Sequence, residues 1–203
     1  QSYAWAALGR ALGDLGQTER SNTALETALS LNGDDPHLVA RVHTHRFEAA
    51  TAILDLEAAQ GHLAQATTTL LQCGDRSRAA DSLTQAGILE LIRHDPEAAN
   101  VSLRKSRVIC RDDGLPLQEA RALLGLGIAG RMQGDLSTAL DAFAEAAALS
   151  DQDSNLAALI HAHRGAAEAA CDAIDNATAA FAKSEELLEQ GWDAIASTIH
   201  DVL

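Results

Sequence analysis

Two histidine pairs, three carboxylates and one glycine triplet are the residues of this 203-residue chain whose types and spacing bear on chemistry. His43-x-His45 and His161-x-His163 carry imidazoles, the side chains that most often bind transition metals. On a helix, residues three or four apart share a face, whereas residues two apart point about 200° away from each other. Either pair would need donors from another helix to make a joint site. The expectation is therefore surface or hydrogen-bonded histidines. Gly125-x-Gly127-x-x-Gly130 has the spacing of a dinucleotide fingerprint, but it lies inside a helical pattern and follows no strand. Close helix packing is the expected role. Glu57, Glu90 and Glu168 recur at one repeat position, and acid–base work would require two of them to converge in a cleft with shifted pKa values. A local twist that exposes them is the simpler expectation. No nucleophile elbow and no His-Glu-x-x-His helix occurs. No catalytic residue, metal ligand set or cofactor site is assigned, and the chain is read as a non-enzyme.

The remaining reactive side chains point the same way. Cys73, Cys110 and Cys171 are far apart, odd in number and in no metal-ligand spacing, which fits buried small hydrophobes in a reducing compartment. The formal net charge of −14 argues against a nucleic-acid or anionic-membrane partner, because both need clustered Lys and Arg. The most basic stretch is His37, Arg41, His43, His45 and Arg46, expected to be a solvated helix end, with an acidic partner as the alternative. No apolar run approaches the roughly 20 residues of a membrane span, and no signal peptide is visible. A cytoplasmic location is expected. The chain opens on Gln1 and not on Met, as a fragment of a longer protein would.

The elements that must position these residues are helices. Aromatic residues are 3% of the chain, only three prolines occur, and Ala and Leu are abundant, so propensity favours helix nearly throughout. Four columns then repeat five times. Small residues anchor the first helices at Gly9, Leu54, Gly87, Gly127 and Gly165, where only Leu54 breaks the size class. Twelve residues on stand Ser21, Ala66, Ala99, Ala139 and Ala177; sixteen on, Leu25, Leu70, Leu103, Phe143 and Phe181; nineteen on, Ala28, Cys73, Ser106, Ala146 and Ser184. The small columns let two helices approach, and the Leu or Phe fills the space between them. Gly16, Gly61, His94, Gly134 and Asp172 fall where the first helices are expected to stop. Anchor spacing varies from about 33 to 45 residues, with the extra residues placed between pairs, and Pro36 to Gln60 is read as one helix of more than six turns.

Trp5-x2-Leu8-Gly9-x2-Leu12 with Gly16, Ser21, Leu25 and Ala28 resembles the tetratricopeptide repeat (TPR). Leu123-x2-Leu126-Gly127 with Gly134, Ala139, Phe143 and Ala146 matches it equally well. The elongated spacing is similar to repeat regions of large bacterial signalling proteins: LuxR-type and maltose-regulator-like transcription activators and Streptomyces antibiotic regulatory proteins. The resemblance implies an all-α, right-handed α-solenoid of about five TPR-like helix pairs. These form a single domain with repeats near 3–33, 37–74, 77–111, 116–150 and 154–189 and a terminal helix over 192–203.

The resemblance also implies that first helices line a binding groove, with its centre at Thr84, Ile88, Leu91, Ile92, Leu124, Ile128, Arg131 and Met132. The other first-helix sets are Ala6, Arg10, Gly13 and Asp14; Thr51, Asp55, Ala58 and Ala59; and Ala162, Ala166, Ala169 and Ala170. Two readings stand side by side. In one, the groove takes a protein or peptide with apolar anchor residues. In the other, it packs against a twin subunit or another domain of the same chain, as in a regulatory segment of a larger signalling protein.

Overall fold

The computed structural model describes residues 1–202, with side chains described through residue 191. Among the described residues the chain forms ten helices and no strand: α1 Ser2–Asp14, α2 Thr18–Asn32, α3 Pro36–Ala52, α4 Leu56–Gln72, α5 Arg76–Ile92, α6 Pro96–Asp112, α7 Pro116–Gln133, α8 Leu136–Ala148, α9 Ser154–Ala170 and α10 Ile174–Val202. Taken in sequence they are five helix pairs. The residues expected to form a separate terminal helix, 192–203, instead continue α10 through Val202. The side chains of Trp192, Ile195, Ala196 and Ile199, and all of Leu203, lie outside the described residues.

Local chemistry explains the helix starts. All three prolines stand at the first position of a helix, Pro36 in α3, Pro96 in α6 and Pro116 in α7, where the missing N–H costs nothing. Six aspartates cap helix N-termini through side-chain acceptors: Asp35, Asp55, Asp75, Asp95, Asp135 and Asp153. Each such cap stabilises its helix by about 1 kcal/mol. Part of the acidity of the chain is thus structural.

Seven helix stops share one geometry. An amide reaches back five residues to a carbonyl in seven turns: Gln17 to Leu12, Asp55 to Ala50, Asp75 to Leu70, Asp95 to Glu90, Leu115 to Cys110, Asp135 to Gly130 and Ala173 to Glu168. This is the bond of a Schellman stop, and it needs a left-handed residue just before the amide. Gly16, Gly74, Gly114 and Gly134 supply it, but so do Leu54, His94 and Asp172, at φ values near +60°.

That turn corrects the second repeat. Leu54 is not a packing anchor inside a helix; it is the turn residue between α3 and α4, 79% exposed. Pro36 to Gln60 is accordingly two helices, and Gly61 lies inside α4 with open space around it. The position equivalent to Gly9 is Phe47, seven residues before the stop. Its column partners are Ala59, Leu63 and Ala66, all essentially fully buried. With this register the anchors Gly9, Phe47, Gly87, Gly127 and Gly165 are spaced 38 or 40 residues apart. Leu54, Gly74, His94, Gly114 and Gly134 follow one another at steps of 20.

Contacts divide the chain into two compact units, Gln1–Leu89 and Glu90–Leu203, with the division inside α5. In unit one, Ala6, Leu25, Ala28, Leu38 and Val42 form one core cluster, and Ala50, Ala59 and Leu89 another with Phe47 packed against it. In unit two, Leu123, Leu124, Phe143, Leu156 and Ile160 lead the largest cluster, and Leu91, Ala99, Leu103 and Ala129 make a second.

The small-against-large columns are visible within each unit. A Cβ added at Gly9 would stand 2.6 Å from Leu25 Cδ2, and one at Gly165 would stand 2.9 Å from the Phe181 ring. At Gly127 it would overlap the ring of Phe143. The triplet with dinucleotide spacing is this same packing: Gly125 admits Leu103 of α6, Gly127 admits Phe143 of α8, and Gly130 admits the backbone at Ala139.

Candidate functional site

In unit one the first-helix face is charged. The corrected register puts Thr44, Glu48, Thr51 and Ala52 on it, in place of the set read from Leu54. Arg10, Gly13 and Asp14 of α1 meet His45, Glu48, Ala49 and Ala52 of α3 around a cleft of about 230 Å³. Glu48 receives His45 Nδ1 at 3.2 Å and stands 3.6 Å from Arg10 Nε. The His45 hydrogen bond, helped by Arg10, holds the Glu48 carboxyl below its usual range. Arg10 also approaches Asp14 at 3.9 Å. The charges of this face are largely spent on one another.

In unit two the corresponding face is apolar. Met132 of α7 is 37% exposed, and Ile128, one turn earlier, is half-buried against both core clusters. On α9, Ala162 and Ala166 are half-buried and Ala169 and Ala170 exposed. His163 stacks on Phe143 with ring centroids 6.2 Å apart. Burial, and then the charge of Arg131, push its pKa down. Arg131 itself is half-buried, and its Nε is shielded from solvent with no hydrogen-bond partner among the described residues. Most other arginines of unit two meet a carboxylate: Arg93 meets Glu90, Arg121 meets Asp153, and Arg164 meets Glu168.

The eight groove residues read from sequence separate by burial. Thr84 on the unit-one part of α5, Leu91 on its unit-two part and Leu124 on α7 are buried. Leu91 and Leu124 belong to core clusters and cannot meet a partner as the chain stands. Ile88 and Ile92, one turn apart on α5, are 46% and 55% exposed. Ile88 belongs to unit one, and Ile92 belongs to unit two together with half-buried Ile128 and Arg131 and exposed Met132.

The other candidates are absorbed by packing. His43 and His45 do not act together; His43 Nδ1 lies 3.5 Å from His62 Nδ1 of α4, and His45 turns to Glu48. His37 faces Asp75 at 3.4 Å, Arg41 lies over the Tyr3 ring, and Arg46 approaches Glu26 at 3.9 Å. The basic stretch is thus taken up inside unit one. Glu57 is exposed, whereas Glu90 and Glu168 are buried, Glu168 accepting from Arg164 at 3.1 Å. No two of the three converge within a unit. Cys110 is buried, Cys73 half-buried and Cys171 exposed, and none of the three is in a disulfide. No group of three or more metal-binding side chains occurs among the described residues. None of the described helices is long and apolar enough to cross a membrane.

One network went unread in the sequence. Glu119 of α7 is buried and accepts from Arg111 Nε at 3.0 Å and, more distantly, Arg107 Nε at 3.5 Å, both of α6. Arg107 also pairs with Glu145 of α8. The i,i+4 spacing of the two arginines was the available signal; their partners come from other helices.

No family model matches the sequence, and no curated protein matches it. Solved structures do match by fold. BtubC from P. vanneervenii superposes with a TM-score of 0.78 at 15% identity, over 92% of this chain and 82% of that one. MamA from Desulfovibrio magneticus RS-1 gives 0.67 at 17%, over 93% and 96%. PilF of Pseudomonas aeruginosa gives 0.70 at 16%, over 91% and 75%. These are TPR-containing structures, and the fold of this chain is a TPR-like helical repeat of the α-solenoid class.

Proposed function

We propose that this chain is a non-catalytic scaffold that binds a protein or peptide through the first-helix face of unit two. The observation that carries this reading is the pair of exposed apolar side chains Met132 and Ile92, with half-buried Ile128 and Arg131 on the same helix as Met132. A segment that lays apolar side chains on them and sets a carboxylate near the Arg131 guanidinium matches both the apolar and the cationic character of this face. Ile92, on the unit-two part of α5, is the more exposed of the pair. The TPR-like fold supports the reading, because stacked helix pairs present such faces for extended or helical ligands.

The test is selection from a random peptide display library, followed by binding isotherms. Selected peptides should carry apolar anchors with a neighbouring acidic residue. Ile92→Asp and Met132→Asp, both at exposed positions, should weaken binding with the circular dichroism spectrum unchanged. Absence of any enriched peptide, or binding indifferent to both substitutions, would refute the proposal. A face that instead receives another domain of the same protein would show itself as occlusion of the selected peptide in the longer chain.

A further inference from the structure

His43-x-His45 fails as a metal pair because its two rings diverge around α3, and a joint site needs a donor from a second helix. Unit one supplies that donor. His62 of α4 brings its Nδ1 to 3.5 Å from the Nδ1 of His43, with the ring centroids 5.6 Å apart and the planes tilted by 32°. We propose that His43 and His62 form a two-imidazole site for a tetrahedral divalent transition metal, Zn²⁺ in the first place, that clips α3 to α4. This proposal does not depend on the scaffold reading.

The distance is close to what a tetrahedral metal requires. Zinc–nitrogen bonds of about 2.0–2.1 Å at a tetrahedral angle place two ligating nitrogens about 3.3–3.4 Å apart. A square-planar metal with bonds of about the same length would bring them to about 2.9 Å. The observed separation is within about 0.2 Å of the tetrahedral value and well outside the square-planar one. Without metal, one imidazole donates its Nδ1 proton to the other. Metal binding moves that proton to Nε2 of the same ring, so both Nδ1 lone pairs face the ion and no net charge is lost.

The surroundings leave room for the rest of the coordination sphere. His43 borders an open hollow of about 330 Å³ with Ala64, Gln65, Thr68 and Thr69, so water reaches the His43 side of the pair. Arg46 is the opposing charge, within electrostatic reach of both rings, and Asp55 is the favourable one near His62. Arg46 turns its guanidinium toward Glu26, which offsets part of the repulsion.

The experiment is calorimetric titration of the whole chain with Zn²⁺, with thermal unfolding followed in parallel. One equivalent should bind, and the unfolding temperature should rise with Zn²⁺ concentration, since the ion favours the folded state. His43→Gln and His62→Gln should each weaken binding at least about tenfold, because even outer-sphere partners cost about 10–100-fold. His45→Gln and His37→Gln should leave it unchanged. Circular dichroism of each variant establishes that the helices persist. If Zn²⁺ does not bind, or binds equally well to His43→Gln and His62→Gln, the proposal is wrong. Loss of peptide binding in Met132→Asp bears only on the scaffold reading.

Discussion

The first helices of the two units carry the same fold and opposite surfaces. In unit one, Arg10, Asp14, His45 and Glu48 neutralise one another across a small cleft. In unit two, Met132 and the alanines of α9 offer an apolar surface, with half-buried Arg131 next to Met132 along α7. The contrast separates what a repeat needs from what it is free to vary. Both units keep small-against-large packing at Gly9–Leu25 and Gly127–Phe143, because helix approach demands it. Neither the charges nor the apolar side chains of the outward face are fixed by that demand.

Packing is where the largest effect of a single change is expected. Gly127→Val drives a branched side chain into Phe143, a fully buried ring stacked on His163. Overpacking of this kind costs about 1–3 kcal/mol, and a rigid ring places it at the upper end. Gly9→Val meets the ends of Leu25, which can rotate away, so its cost should be smaller. Urea unfolding of the two variants compares them directly. Equal losses would mean that the aromatic filler does not make unit two the stiffer of the two.

The turns allow a smaller and opposite test. Leu54 holds the left-handed conformation that Gly134 holds in unit two. An L-residue there costs about 1–2 kcal/mol, partly returned by the lower backbone entropy of a non-glycine chain. Leu54→Gly should therefore stabilise unit one by up to about 1 kcal/mol, read as a higher urea midpoint. A lower midpoint would show that exposed Leu54 makes contacts worth more than its strain.

Acid should weaken both units. His43 and His62 in unit one, and His161 and His163 in unit two, are held below the ordinary 6.5, in each case first by burial. Their folded pKa lies below the unfolded value, so the unfolded chain binds protons first. Stability is full above about 6.5 and falls as pH drops through that value toward the lowered folded pKa. A urea midpoint that declines between pH 7.5 and 5.5, and declines less when these histidines are replaced by glutamine, is the expected outcome. A flat profile would place them in contact with solvent.

Much of the fold was legible because packing constrains residue size. Gly9, Gly127 and Gly165 stand opposite Leu25, Phe143 and Phe181 since no Cβ fits between those helices, and the missing side chain is written in the sequence. Leu54 misled for the converse reason. A Schellman stop is a backbone conformation, and a leucine gives no sign that it adopts one, while Gly61 offered a false stop within α4. The residues read from sequence as groove divide by exposure. Ile88, Ile92 and Met132 do face outward, but Thr84, Leu91 and Leu124 are buried, because their faces of α5 and α7 turn toward neighbouring helices. The partners of His43 and of Glu119 were not legible at all, since His62, Arg107 and Arg111 reach them from other helices.

The difference between the two faces is tested most directly by one binding constant measured on two variants. For a peptide selected on the whole chain, Met132→Asp should weaken the dissociation constant by about tenfold or more, the scale of a residue central to an interface. Glu48→Ala, which disturbs only the self-paired charges of unit one, should leave it within about twofold, as exposed ion pairs contribute little. The reverse pattern, with binding lost in Glu48→Ala and kept in Met132→Asp, would contradict the account.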